Sequence, residues 1–268
     1  MEMMSIASGS SGNCIYIGNA NTHILIDAGI SGKRVESGLN SAGLTMKDIS
    51  GICVTHEHND HIKGLGVLAR RYGVPIYTMK ETWQEIKGAR GFKTVGEISN
   101  DLFHEVNENT PFQIGDIQLK ALPISHDAAH PVAYIAKSGE QKMGVVTDLG
   151  TYDESLKNEL QDMAALLLEA NHDIRMLEMG PYSYNLKRRI LSDKGHLSNE
   201  ASGQLLGELL HDNIKAVFLG HLSQENNYEA LAYETVKTEI TLGDNPYKGT
   251  DFKIMVAKRD QPTQMVRV

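Results

Sequence analysis

Cysteine is scarce: the 268 residues contain two, Cys14 and Cys53, far apart and in no Cys-x-x-Cys or other ligand spacing. This excludes a disulfide framework and a cysteine-based zinc site, and both thiols read as small buried apolar residues rather than reactive groups. Long hydrophobic runs are missing too. The longest, Met163–Leu168, is far too short to span a bilayer, so no membrane partner is expected. The N-terminal Met-Glu-Met-Met-Ser has neither a basic region nor an apolar segment behind it, which argues against a signal peptide and for the cytoplasm. Positive charge is in deficit. The 26 Lys and Arg against 34 Asp and Glu leave a formal charge of -8, the wrong sign for gripping nucleic acid by general electrostatics, so phosphate binding has to be local. Repeats, low-complexity tracts and Pro-rich or Ser-rich linkers are absent, which makes one domain over residues 1–268 the simplest organisation.

Short apolar runs alternate with amphipathic stretches. Met4–Ala7, Cys14–Gly18 and Thr22–Ile26 read as strands, Ser31–Leu44 as a helix, Gly51–Thr55 as a strand, and Ile62–Tyr72 and Glu81–Lys87 as helices. From Leu102 to Thr147 the pattern is mostly strand. Runs at Gln118–Ile124, Val132–Ala136 and Met143–Val146, with turns at Gly115-Asp116 and Ser138-Gly139, predict meandering hairpins. Helices at Asn199–Leu210 and Tyr228–Ile240 flank a strand at Ala216–Leu219, and Phe252–Ala257 closes as a strand. Strands and helices mixed through both halves predict packed sheets covered by helices.

What the chain does have is histidine, eleven in all, and three of them stand in Thr55-His56-Glu57-His58-Asn59-Asp60-His61. Imidazole nitrogens and carboxylate oxygens are the usual ligands of zinc, manganese and iron, and four of them in six residues exceed one ion's needs at this spacing. Adjacent side chains point apart. His56 and His58 can face one ion while Asp60 and His61 face a second, so the spacing reads as a two-metal loop. Position adds a second argument: Asp27, His56, His126, Asp148 and His221 each stand just past an apolar run of strand character. Any one of these alone would be a turn residue or a cap, but five beside the histidine cluster describe a site carried on loops of a rigid scaffold.

These motifs resemble the metallo-β-lactamase superfamily of hydrolases, whose central signature is the H-x-H-x-D-H loop. The resemblance implies an α+β fold, a four-layer αββα sandwich with the metals at the sheet edge. It implies that His56, His58 and His126 hold one divalent ion, that Asp60, His61 and His221 hold another, and that Asp148 bridges them. Asp27 would brace the histidine loop without being a ligand. Ser8-Gly9-Ser10-Ser11-Gly12-Asn13, Asp27-Ala28-Gly29 with Val35–Gly38, Gly195-His196-Leu197-Ser198-Asn199 and Gly220–Asn227 resemble in particular the YycJ/WalJ-like exonuclease group. That resemblance implies a bacterial cytoplasmic DNA exonuclease, working 5′ to 3′, with Glu169 supporting the site and His196 facing the scissile phosphate. DNA is then the expected partner, with Ser10, Asn13, Ser198, Tyr184 and Arg188 as candidate substrate contacts. The Ser8–Asn13 loop reads equally as an anion nest or a plain turn, and Tyr182–Arg189 as a strand clamp or a solvated basic face. Ser198 or Asn199 stands where it would cap the next helix.

Only 48 positions separate Asp148 from His196, which leaves no room for the large capping domain of some relatives. The long Gly/Pro-rich arm of the transfer-RNA-processing relatives is absent as well. The expected reaction is phosphodiester hydrolysis by a metal-bridged hydroxide, with Asp60 orienting or deprotonating the water and His196 countering charge on a phosphate oxygen. The donor set suits zinc, manganese and iron alike. Three other readings use the same ligands: an ester, thioester or lactone hydrolase, a di-iron redox protein, and a non-catalytic metal-binding protein.

Overall fold

The computed structural model describes residues 1–268. In chain order its first strands are β1 (Glu2–Ala7), β2 (Cys14–Gly18), β3 (His23–Ile26), β4 (Ile49–Cys53), β5 (Ile76–Thr78) and β6 (Phe103–Glu105). There follow β7 (Phe112–Ile114), β8 (Ile117–Pro123), β9 (Val132–Ser138), β10 (Gln141–Val146), β11 (Ala165–Glu169), β12 (Ala216–Gly220), β13 (Ile254–Val256) and β14 (Val266–Arg267). They form two seven-stranded mixed sheets, ordered β14-β1-β2-β3-β4-β5-β6 and β13-β12-β11-β10-β9-β8-β7. The hairpins fall where the turn residues place them. Gly115 and Gly139, with φ of 56° and 58°, turn the chain between β7 and β8 and between β9 and β10.

The period-2 alternation of the strands sorts their side chains into layers. Ile15, Ile17, Ile24 and Ile26 face the second sheet and join Leu167, Tyr134 and Phe218 in the core between the sheets. Their neighbours Cys14, Tyr16 and Leu25 face outward, under helices that supply Val35, Leu39, Leu65 and Leu68. On the far side, Leu166 and Leu168 pack beneath the helices Asn199–Leu209 and Glu229–Leu242. Three cores between four layers make the αββα sandwich. The run Met163–Leu168 becomes β11, paired in parallel on both sides and buried on both faces, which accounts for its unbroken apolar character.

Most predicted ends shift by one or two residues, and two differences are larger. The stretch Ile62–Tyr72 is not one helix: a turn at Asn59–Ile62 is separated from the helix Leu65–Tyr72 by Lys63 and Gly64. Gly64 N bonds Ala28 O at 2.7 Å, and a Cβ on Gly64 would lie 2.1 Å from Ile30 O, so backbone crossing backbone breaks the helix there. The first helix ends at Ser41 rather than Leu44.

Strands β3 to β6 run parallel, as do β10 to β13, so their carboxyl ends present loops at the sheet edges. Asp27, the histidine loop, Asp148 and His221 all leave from those ends.

Candidate metal centre

The functional residues one or two positions past β3, β10 and β12 share an unusual backbone. Asp27, Asp148 and His221 have φ of 63°, 58° and 54°, in the left-handed region that non-glycine residues seldom occupy. Such conformations persist where surrounding bonds over-determine them, and they turn each side chain back over the sheet edge.

His56, His58 and His126 bring their donor atoms within 4.8 Å of one another, with His58 Nδ1 3.3 Å from His126 Nε2. Asp60, His61 and His221 form a second group, in which Asp60 Oδ2 lies 3.5 Å from His61 Nε2 and 3.3 Å from His221 Nε2. Asp148 stands between the groups. Its Oδ2 is 3.1 Å from His61 Nε2, while its Oδ1 is 3.5 Å from His221 Nε2 and 3.7 Å from His126 Nε2.

The outer nitrogens are fixed. His61 Nδ1 donates to Asp27 Oδ2 at 2.7 Å, His126 Nδ1 to Gly195 O at 3.1 Å, His221 Nδ1 to Glu169 Oε1 at 2.7 Å, and His56 Nδ1 lies 3.0 Å from Thr55 Oγ1. These bonds turn each Nδ1 outward and each Nε2 toward the cluster, the arrangement that metal-ligating histidines adopt. Against their burial, Asp148 above all holds His61 and His221 above the ordinary histidine range, so a cation there would take the place of a proton. His56 Nε2 and Asp148 Oδ2 are buried with no hydrogen-bond partner. Orphaned acceptors in so polar a cluster are costly, and a divalent cation would satisfy them, so the residues fit metal binding.

Burial pushes His56 well below the ordinary histidine range and lowers His126, which keeps both as neutral donors. Burial opposes ionisation of Asp148, yet His221 and His61 outweigh it and hold the carboxyl well below the usual range. Glu169 is similar: its burial is outweighed chiefly by His196, and its pKa falls to about 2.

Asp27 sits below the cluster, taking bonds from Thr55 N and Thr55 Oγ1 as well as from His61. The next turn presses on the histidine loop so closely that a Cβ on Gly29 would lie 1.6 Å from Asp60 O. His196 donates from Nδ1 to Glu169 Oε1 at 2.8 Å and lies 3.8 Å from Asp148 Oδ1, its side chain partly exposed beside the cluster.

Two candidate substrate contacts are placed otherwise than expected. Asn13 is fully buried, its Oδ1 accepting from Ser8 Oγ and Gly9 N and its Nδ2 lying 3.2 Å from His61 Nε2, so it stitches the loop to the cluster. Ser198 Oγ accepts from Ala201 N at 3.1 Å and is the cap of the helix Asn199–Leu209, buried rather than presented. Ser10 is exposed at the tip of its loop. Tyr184 is 72% exposed on the helix Tyr184–Ile190, with the Arg188 guanidinium 5.8 Å from its ring centre, and neither joins the donor cluster. Within the same basic run Arg189 is spent on an ion pair with Asp127, whose Oδ1 is 3.4 Å from His126 Nε2.

Sequence reasoning missed several supports. Ser8 Oγ accepts from His221 N at 2.8 Å, Asn171 Nδ2 donates to His221 O at 2.8 Å, and Thr55 links Asp27 to His56. Only Asp127 carried a signal, as an acid beside His126; the others are ordinary polar residues whose roles depend on distant partners.

The family model described as "Beta-lactamase superfamily domain" matches residues 22–221. The chain is 40% identical over 231 residues to the exodeoxyribonuclease YycJ of Bacillus anthracis, covering 86% of each protein. It is 36% identical over 263 residues to the exodeoxyribonuclease WalJ of Streptococcus pneumoniae, covering 98% of this chain and 96% of that one. The crystal structure of the metallo-β-lactamase fold protein YhfI from Bacillus subtilis superposes with a TM-score of 0.66 at 16% identity, covering 98% of both chains. The chain belongs to the β-lactamase superfamily, with the metallo-β-lactamase fold, and is a metal-dependent hydrolase. No helix is long and apolar enough to cross a membrane.

Proposed function

We propose that the protein is a cytoplasmic DNA exonuclease that removes nucleotides 5′ to 3′, with two divalent ions (zinc, manganese or iron) held by His56, His58 and His126 and by Asp60, His61 and His221, Asp148 shared between them. The observation that carries the reading is the pair His196 and Glu169. A buried carboxylate holds Nδ1 of His196, whose partly exposed ring lies beside the donor cluster with Nε2 not engaged by that carboxylate. A hydrolase of carboxylic esters has little use for that extra donor, whereas a phosphodiester transition state gathers charge on oxygens that it can meet. The two exodeoxyribonucleases that the chain resembles over nearly its whole length support the same reading.

Divalent cations at the cluster supply Lewis acidity and a water acidified to near neutral pH. Asp60, the ligand-group carboxylate with a partly exposed side chain, would orient a water at the open side of the cluster and accept its proton. Because His196 gives its Nδ1 proton to Glu169, it would meet a non-bridging oxygen from Nε2 as the doubly protonated imidazolium, whose charge the Glu169 carboxylate balances. A single domain over 1–268 with no large cap leaves the strand edge open to a polymer end.

The test is a time course on end-labelled single- and double-stranded DNA with added manganese, run beside Asp60→Ala. A metal-dependent ladder from the 5′ end, absent in the variant, is expected. No cleavage of DNA or RNA by protein that holds its metals overturns the reading and directs attention to thioesters and lactones.

A further inference from the structure

The four parallel strands β10, β11, β12 and β13 end in register: Val146 pairs with Leu168, Leu168 with Leu219, and Leu219 with Val256. The first three deliver Asp148, Glu169 and His221 to the metal edge. The fourth delivers Lys258, Arg259 and Asp260, for which the proposed hydrolysis has no use. His221 and Lys258 each stand two residues beyond the last paired level, and Ser8 bonds to both, its N–H donating to Lys258 O at 2.9 Å and its Oγ accepting from His221 N at 2.8 Å.

At that place is a cavity of about 510 Å3, lined by Leu222, Gln224, Tyr228 and Glu229 on one side and Lys258 and Asp260 on the other. Its volume is in the range of small-ligand sites. One wall is tied to the metal edge by Arg259. The guanidinium donates to Leu222 O and Ser223 O, directly after His221, at 3.3 and 2.6 Å, and the stem lies against Gly9, where a Cβ would come within 2.8 Å of Arg259 Cγ. Tyr228 leaves 56% of its surface exposed at the cavity. Lys258 Nζ is 3.3 Å from Glu229 Oε2, but both side chains are about half exposed, and so open an ion pair is weak enough for a phosphate to replace it.

We propose that this cavity is a nucleotide subsite: it takes the nucleotide that adjoins the scissile phosphate, with the base on the Tyr228 ring, its polar edge toward Gln224 and Asp260, and its phosphate against Lys258. The proposal rests on the reading of the chain as a nucleic-acid phosphodiesterase. An aromatic face accepts any base, the amide and carboxylate meet amino and carbonyl groups on base edges, and a flanking ammonium meets the backbone, the combination by which single strands are held without sequence preference. It also answers the charge deficit, since one local cation beside the metal edge does what a basic surface would otherwise do.

The experiment compares wild type, Tyr228→Ala and Lys258→Ala, each loaded with manganese, on a single-stranded oligonucleotide and on methyl p-nitrophenyl phosphate, a small diester with no base and no flanking phosphate. A 2-aminopurine beside the terminal phosphate reports stacking. Tyr228→Ala is expected to raise KM for the oligonucleotide about tenfold, a stacking loss within the usual range, to lower the ratio of oligonucleotide to small-ester kcat/KM by the same factor, and to abolish the 2-aminopurine quench. Lys258→Ala is expected to reduce the salt dependence of oligonucleotide binding by about one phosphate contact. If wild type cleaves both substrates and the variants match it on both, the subsite is wrong and the nuclease reading stands. Equal losses on both substrates mean that the cavity is only structural, and they overturn the subsite likewise. Cleavage of the small ester without any of the oligonucleotide removes the nuclease reading and the subsite with it.

Discussion

Glu169 Oε1 accepts from two histidines at once, His196 Nδ1 at 2.8 Å and His221 Nδ1 at 2.7 Å, while Glu169 Oε2 accepts from Leu149 N and Leu197 N. One fully buried carboxylate thus fixes both a proposed metal donor and the residue proposed to face the phosphate. Glu169→Ala is expected to lower metal affinity and kcat by about 10- to 100-fold each, the usual cost of losing such a support. Metal titration of the purified variant checks the first effect and steady-state kinetics the second; unchanged metal affinity would show that His221 is held by other means.

His196 touches Glu169 and lies 3.8 Å from the nearest Asp148 oxygen, outside the two histidine groups assigned to the ions. His196→Ala is therefore expected to retain its metal content and to lose about 100- to 1,000-fold in kcat on phosphodiesters, the scale of removing one transition-state donor. Elemental analysis beside kinetics separates the two. Loss of the metals would make His196 a ligand instead.

Asp27 is the only carboxylate under the histidine loop, bonded to Thr55 N, Thr55 Oγ1 and His61 Nδ1. Asp27→Ala strands three buried donors, and the expected destabilisation of the metal-free protein is about 3 kcal/mol, read from urea unfolding. A loss below 1 kcal/mol would mean that water replaces the carboxylate.

His172 is buried with neither ring nitrogen bonded, and burial lowers its pKa to about 4. The unfolded chain takes up a proton at this residue near pH 6.5, but the folded one resists until about pH 4. Stability from this residue is therefore complete above pH 6.5 and is lost as the pH falls from there to 4, by up to about 3 kcal/mol. His172→Leu is expected to fold normally at pH 7.5 and to flatten that acid limb in urea unfolding of the metal-free protein at pH 7.5 and 5. The same slope in both proteins would assign the acid loss elsewhere.

Much of this was legible in the chain. Most strands of both sheets, the hairpin turns at Gly115 and Gly139, and the placement of Asp27, His126, Asp148 and His221 at strand ends follow from local alternation and turn chemistry, which act between near neighbours, whereas the short strands β5 and β14 carry too few residues to show that alternation. The break at Lys63 and Gly64 did not, because helical spacing continues through it and only the crossing of the Ala28–Ile30 backbone interrupts it. Nor did the role of Asn13, a polar residue that looks free in sequence and is engaged in the fold, whereas Ser198 caps the next helix as its position predicts and is too buried for the substrate contact also expected of it.

The sequence alone determined which atoms can ligate a metal and on which loops they stand, since residue type and strand periodicity are local properties. Tertiary structure decided how they act together. Glu169 joins residues 27 and 52 positions away, and the register of β12 and β13 brings Lys258 to the same sheet edge as His221, with Ser8 bonded to both. Register between strands is set by the packing of whole sheets, so no window of sequence contains it.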